Sequence, residues 1–426
     1  MKKLAIDFGT SNSLVCLVDG KKVSPPLALD HEATDPVVFR SVLYMTPKET
    51  FYGARAVKQF LEDELSGGVE GRLLRSIKRF LPQRTFGGTQ IGSKKIQLEE
   101  MVASFLGELR RRTLKLTGED VRAAILGRPA LFSEDPELDQ LAQARLERAA
   151  KIAGFEKVEF LPEPVAAAFR YRNDRGHQRE ETVLVADFGG GTSDYTVMKM
   201  GARDFRPDDV LAIGGVPVAG DALDGEIMRH RVSRQFGAQV QYQVPFGSNV
   251  LTMPRLLMEN LCSTAHIPLL SRRDNADFLD RVKKASLGKD DHRVMEQLET
   301  LISDQLGFPV FEAIEGCKRG LSASETSAVD FSYPGVTFKE PIDRAQFIQY
   351  TDASFSKILK ALDSTLTEAG LDYSGIDRVC CTGGTARVKV LRDELVKRFG
   401  EAKIEEYRHF TSIVEGLGAW ALSGKT

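Results

Sequence analysis

Apolar residues in this chain fall into short runs that end on an aspartate and a glycine turn. Leu4-Ala5-Ile6 leads into Asp7-Phe8-Gly9-Thr10-Ser11-Asn12, and a second apolar run, Ser13–Val18, follows. The same order recurs at Leu184-Val185-Ala186-Asp187-Phe188-Gly189-Gly190-Gly191-Thr192-Ser193-Asp194, followed by Tyr195–Met200. An apolar run, a small polar turn with glycine and a second run predict a β-hairpin. The two aspartates stand 180 residues apart (187 − 7), a spacing that suits a duplicated domain and not a solenoid repeat.

The pattern predicts strands near Lys3–Phe8, Ser13–Val18 and Val37–Tyr44, a helix over Ala54–Leu65, a strand near Val121–Leu126, a helix from Pro136 to Ala153 and a strand at Val158–Leu161. The order then repeats, with strands at Val183–Asp187, Tyr195–Met200 and Val210–Ile213 and a helix from Asp221. A strand at Arg378–Cys381 and a helix at Val388–Phe399 complete it. Two βββαβα units, each a mixed sheet flanked by helices, are the α/β architecture expected. Between Gln239 and Asp304 the pattern is helical and charge-rich, with Leu256, Leu257, Leu261, Leu279, Leu298 and Ile302 recurring, so an inserted subdomain is expected there. Gly67-Gly68, Gly71, Gly87-Gly88 and Asn173–Glu181 read as surface loops.

With 426 residues, 42% of them hydrophobic and 28% charged, the chain has the profile of a globular protein of two or three domains. A net charge of −2 without long runs of one sign argues against a nucleic-acid surface and confines any anion site to a local pocket. No apolar stretch is long enough to span a bilayer. Asp7 and Asn12 interrupt the run after Met1-Lys2-Lys3, which argues against a signal peptide. Cys16, Cys262, Cys317, Cys380 and Cys381 show no C-x-x-C spacing and read as buried free thiols of a reducing cytoplasm.

Asp7 and Asp187 end their strands at a turn, where each can cap its own hairpin. As a matched pair followed by glycines and hydroxyls they also suit Mg²⁺ held mostly through water. Gly9, Gly189, Gly190 and Gly191 let backbone approach phosphate oxygens, and Thr10, Ser11, Ser13, Thr192 and Ser193 add hydroxyl donors. Gly383-Gly384, within Cys381–Arg387, suits any βα turn or the face against which a nucleoside packs. Glu315, Lys318, Arg319 and Ser322 share one helical face, either a solvated charged surface or the wall of an adenine–ribose pocket with Arg319 stacked on the base. Glu163, flanked by Pro162 and Pro164, either positions a water or hydrated metal or serves the helix dipole. Its helix, with Ala166-Ala167-Ala168, and the small-residue segment Ile413–Ala419 are expected to cross closely and to form a shear surface.

In this order, these motifs resemble the actin-like ATPase fold, and within it the ATPase domain of the seventy-kilodalton heat-shock (DnaK-type) chaperones. The resemblance is carried by Ile6–Ser13, Glu163–Ala168, Asp187–Asp194, Ala219-Gly220-Asp221 with Asp224, Cys317–Ser322 and Gly383–Arg387. It implies slow hydrolysis of ATP to ADP with Mg²⁺, a partner or co-chaperone that senses the nucleotide state, and a cytoplasmic location. It also implies catalytic roles for Lys78 (in Ser76–Leu81), Glu163, Asp187, Thr192 and Asp194. Nucleotide contacts are implied from Gly9, Thr10, Ser11, Asn12, Gly189, Gly190, Gly191, Thr192, Glu315, Lys318, Arg319, Ser322, Gly383, Gly384, Thr385 and Arg387. On this reading residues 1–181 form the first half, closed by a helix at 413–426. Residues 182–412 form the second, with an inserted lid over about 222–310.

Two departures stand out. The family's linker and peptide-binding domain are not expected after Trp420, and Ser412 stands where the family has an aspartate. A form without that tail is similar to the YegD-like putative chaperones. A small-molecule kinase or a filament-forming ATPase of the same fold remains an alternative. Phosphorylation of added sugars would reveal the first and nucleotide-dependent sedimentation the second.

Overall fold

The computed structural model describes residues 2–65, 71–175, 180–201, 207–243, 249–271, 273–406 and 412–422. Two compact units are formed: Met1–Gly220 with Phe355–Arg387 and Leu391–Thr426, and Asp221–Ser354 with Val388–Val390.

The larger unit is built on two five-stranded sheets. The first runs Lys157–Pro162, Ala123–Arg128, Lys3–Phe8, Asn12–Val18, Phe39–Arg40; the second runs Val210–Val216, Ser193–Met200, Glu181–Phe188, Arg378–Thr382, Ile404–Glu406. In each, the first strand of the hairpin is central. It pairs antiparallel with its own return strand and parallel with a strand distant in sequence. Such a strand is covered on both faces, and its sequence shows it: Leu4, Ala5 and Ile6, like Val183, Leu184 and Ala186, are fully buried and apolar. The helices Glu163–Arg175 and Ser412–Leu422 pack together in one core with Ala5, Cys16, Val185 and Met198. Phe169 meets Trp420 edge-on at 5.5 Å, and Arg170 pairs with Glu415 at 2.8 Å. On the other side of the first sheet, Phe105 lies 5.6 Å from Phe8 and 5.5 Å from Phe39. Burial of an aromatic ring of this kind contributes about 1.5–3 kcal/mol.

The expected strand over Val37–Tyr44 is two strands in two sheets. Phe39–Arg40 joins the first sheet, whereas Val42–Met45 lies between Thr50–Tyr52 and Arg72–Arg75 in a separate three-stranded sheet. The break falls at Ser41, whose N–H donates to Ser11 O at 2.9 Å and whose hydroxyl donates to Gly9 O at 2.7 Å. Both bonds tie it to the first hairpin turn. Gly71, expected in a surface loop, is buried against the ring of Tyr44. Gly67-Gly68 and residues 176–179 lie outside the described residues. Two long helices, Leu98–Thr117 and Arg344–Glu368, are additions to the pattern read from the sequence.

In the smaller unit the expected helical insertion contains Arg255–Leu261, Arg273–Ala285 and Asp291–Ser303, together with a short hairpin, Gln241–Gln243 and Val250–Thr252, that the helical pattern did not suggest. A longer hairpin, Thr326–Tyr333 with Val336–Asp343, turns at Pro334-Gly335 and packs along the helix Gly307–Ala323. Its Glu340 is buried and accepts hydrogen bonds from Arg234 and Gln235. Among the described residues no helix is long and apolar enough to cross a membrane.

Candidate functional site: a cavity between two hairpin turns

The two hairpins present their turns, Gly9–Asn12 and Gly189–Thr192, to one cavity of about 110 Å³ in the larger unit. Each turn is closed on itself. A Cβ on Gly9 would stand 2.2 Å from Asn12 O, and Gly189 N–H donates to Thr192 O at 2.9 Å. The turns also approach each other, since a Cβ on Gly191 would lie 2.7 Å from Thr10 Oγ1. Only glycine permits that approach, which leaves backbone and hydroxyl groups of both turns facing the cavity.

Asp7, Lys78, Glu163 and Asp187 line the same cavity. Lys78 comes from the short helical turn Ile77–Phe80, and Glu163 is the first residue of its helix. Lys78 Nζ donates to Glu163 Oε1 at 2.6 Å, and both side chains are buried. The ammonium also lies 6.0 Å from the centroid of the Phe132 ring. Asp187 Oδ1 accepts a hydrogen bond from Thr382 Oγ1 at 2.6 Å, because the parallel register sets Thr382 beside Asp187. Thr385 Oγ1 donates to Gly189 O at 2.7 Å and so braces the second turn from behind.

Three carboxylates and one ammonium leave the cavity with a formal charge of −2. Burial holds the Asp7 carboxyl well above the usual carboxylate range; Glu163 adds to the effect and Lys78 opposes it. Burial also raises Asp187 to about 6, against the opposing hydrogen bond from Thr382. The excess negative charge calls for a cation. Among the described residues no group of three or more His, Cys, Asp and Glu is placed to hold a metal. Asp7 and Asp187, two carboxylates lining one cavity, fit an ion that keeps most of its water, as Mg²⁺ does.

Asp194 does not line the cavity. It is fully buried on the return strand, its Oδ1 accepting from Ala130 N at 2.7 Å. Burial, with Glu163 adding, pushes its carboxyl up to about 8. Gly383 and Gly384 line the cavity, whereas Thr385 and Arg387 do not. Glu315, Lys318, Arg319 and Ser322 lie on the helix Gly307–Ala323 of the smaller unit. Burial divides that face: Lys318 is buried and paired with Asp224 at 2.8 Å, whereas Arg319 is 72% exposed and 3.9 Å from Glu315. The side chain of Ser412 lies outside the described residues. Its neighbour Ile413 lines the cavity, as does Thr382; neither was singled out from the sequence. For Thr382 the signal was present, a hydroxyl residue ending the strand next to Gly383-Gly384.

The family model described as Hsp70 protein matches residues 3–299 and 290–407. The chain belongs to the Hsp70 family. It is similar to the chaperone protein dnaK of Guillardia theta, 26% identical over 419 residues, with 93% of this chain and 56% of that relative covered. This Hsp70-family chain thus spans about half the length of the curated relative it matches. Its two matching mixed sheets, each with a glycine hairpin, form the actin-like ATPase fold.

Proposed function

We propose that this Hsp70-family chain binds Mg²⁺-ATP and hydrolyses it slowly to ADP and phosphate. The observation that supports this most is the convergence of Asp7, Lys78, Glu163 and Asp187 on one cavity bounded by two matching glycine turns. Gly9, Thr10, Ser11 and Asn12 on one side, and Gly189, Gly190, Gly191 and Thr192 on the other, take the phosphates through N–H and hydroxyl groups. Asp7 and Asp187 would hold Mg²⁺ through its water shell, and the ion would supply positive charge against the phosphates. Water attacks the terminal phosphorus, the bond to the bridging oxygen breaks, and ADP leaves. Lys78 stabilises the charge that develops in that step, and Glu163 orients Lys78. Asp187 accepts a hydrogen bond from the attacking water. Asp194 anchors its turn through Ala130 N–H.

Gly383 and Gly384 are proposed to pack the nucleoside beside the phosphate cavity. A chaperone-type role follows, with a partner or co-chaperone that reads the nucleotide state. The five cysteines are free and buried, which suits a reducing compartment such as the cytoplasm. Single-turnover hydrolysis of radiolabelled ATP tests the reading. Turnover that is lost on chelating Mg²⁺ and in Lys78→Ala supports it, and ATP left intact by the wild-type protein with Mg²⁺ overturns it.

A further inference from the structure

We propose that Ser76 is a positioning residue for Lys78 and acts through its backbone. Ser76 adopts the left-handed conformation, φ 56° and ψ 33°, immediately before the turn Ile77–Phe80. Among the described residues the only other non-glycine with positive φ is Gln305. Serine has no intrinsic preference for this region, and here its side chain offers no compensation. The hydroxyl is buried, finds no hydrogen-bond partner among the described residues and does not cap the turn. Such a conformation persists only when the surroundings impose it, and it concentrates at functional sites.

Both flanks of Ser76 are fixed. Upstream, Arg75 pairs with Val42 in the three-stranded sheet. Downstream, Arg79 N–H closes the turn onto Ser76 O at 2.9 Å, and the Arg145 guanidinium donates to the carbonyls of Phe80, Leu81 and Gln83. Phe80 stacks on Phe86 at 4.0 Å. Between a fixed strand and a fixed turn, Ser76 is the residue at which the chain changes direction. Lys78 follows two residues later and reaches Glu163 at 2.6 Å. An extended Ser76 would send the turn, and the ammonium with it, elsewhere.

The kinetic test rests on the ATPase reading above; a structural test does not. Glycine adopts the left-handed region freely, alanine lacks only the hydroxyl, and a β-branched residue resists the region strongly. Turnover in Ser76→Gly and Ser76→Ala should stay within about threefold of wild type, while Ser76→Val loses about tenfold or more with KM for ATP little changed. In a Lys78→Ala background the same valine should cost less than about twofold, because the lysine it displaces is already gone.

An equal loss from valine in both backgrounds would overturn the proposal, as would a loss in Ser76→Ala equal to that in Ser76→Val. Should the valine variant fail to fold, Ser76→Thr makes the same comparison. Were the wild-type protein inert toward ATP, the ATPase reading would fail by itself. A crystal structure of the β-branched variant then decides the positioning claim: Lys78 Nζ beyond hydrogen-bonding reach of Glu163 supports it, and an unchanged contact overturns it.

Discussion

Gly416 lies against Ala166 so closely that a Cβ placed on it would stand 1.8 Å from the Ala166 carbonyl oxygen. The helices Glu163–Arg175 and Ser412–Leu422 therefore cross backbone to backbone at Ala166. The obstacle is a carbonyl group held in a helix, so it cannot rotate away as a flexible side chain would. Gly416→Ala should destabilise the protein by about 1–3 kcal/mol, and Gly416→Leu by more, as overpacking does. Thermal denaturation followed by circular dichroism checks this, and an unchanged midpoint in Gly416→Leu would contradict the close crossing.

Lys78 and Glu163 form a buried ion pair beside two further carboxylates. Removal of the cation alone leaves Glu163 uncompensated, and breaking a buried pair in this way typically costs about 3–5 kcal/mol. Lys78→Ala should therefore lower stability as well as turnover, the latter by about two to three powers of ten if it stabilises developing charge. Glu163→Gln in the same chain should restore much of the stability but none of the turnover. Recovery of both together would make the lysine structural.

Asp224 supplies a pH signature. Burial raises its carboxyl from 3.8 to about 6, with Lys318 opposing. Between those values the folded protein keeps a proton that the unfolded chain has released. Stability from this group is thus fully present below pH 4 and is lost as pH rises toward 6, at a slope of up to about 1.4 kcal/mol per pH unit. Asp224→Asn should remove that component of the slope between pH 4 and pH 6, as read by urea denaturation at a series of pH values. A slope identical to wild type would contradict the assignment.

Much of the fold was legible because its central strands are short apolar runs broken by glycine turns. Lys3–Phe8 and its partner Asn12–Val18 follow the pattern almost residue for residue. The helix Leu98–Thr117 was not read from the sequence, although Leu98, Met101, Val102, Phe105, Leu106 and Leu109 stand at helical spacing and it ends at the left-handed Gly118. The split at Ser41 was not legible, because it depends on hydrogen bonds to a turn 30 residues earlier in the chain. Lys78 illustrates the same limit within the site. Among Arg72, Arg75 and Arg79 it is one more cation until the turn after Ser76 brings it to Glu163, so only the family resemblance singled it out. Asp194 looks like a third turn carboxylate in sequence, yet it is buried with Ala130 N–H on its Oδ1 and does not line the cavity.

The central claim is that the cavity between the two glycine turns is a nucleotide phosphate site. Isothermal titration of the nucleotide-free chain with ADP and with ATP, each in excess Mg²⁺, tests it most directly. The account predicts one nucleotide bound per chain, with affinity weakened when Mg²⁺ is chelated. Absence of binding heat for both nucleotides, with the protein folded by circular dichroism, would contradict it.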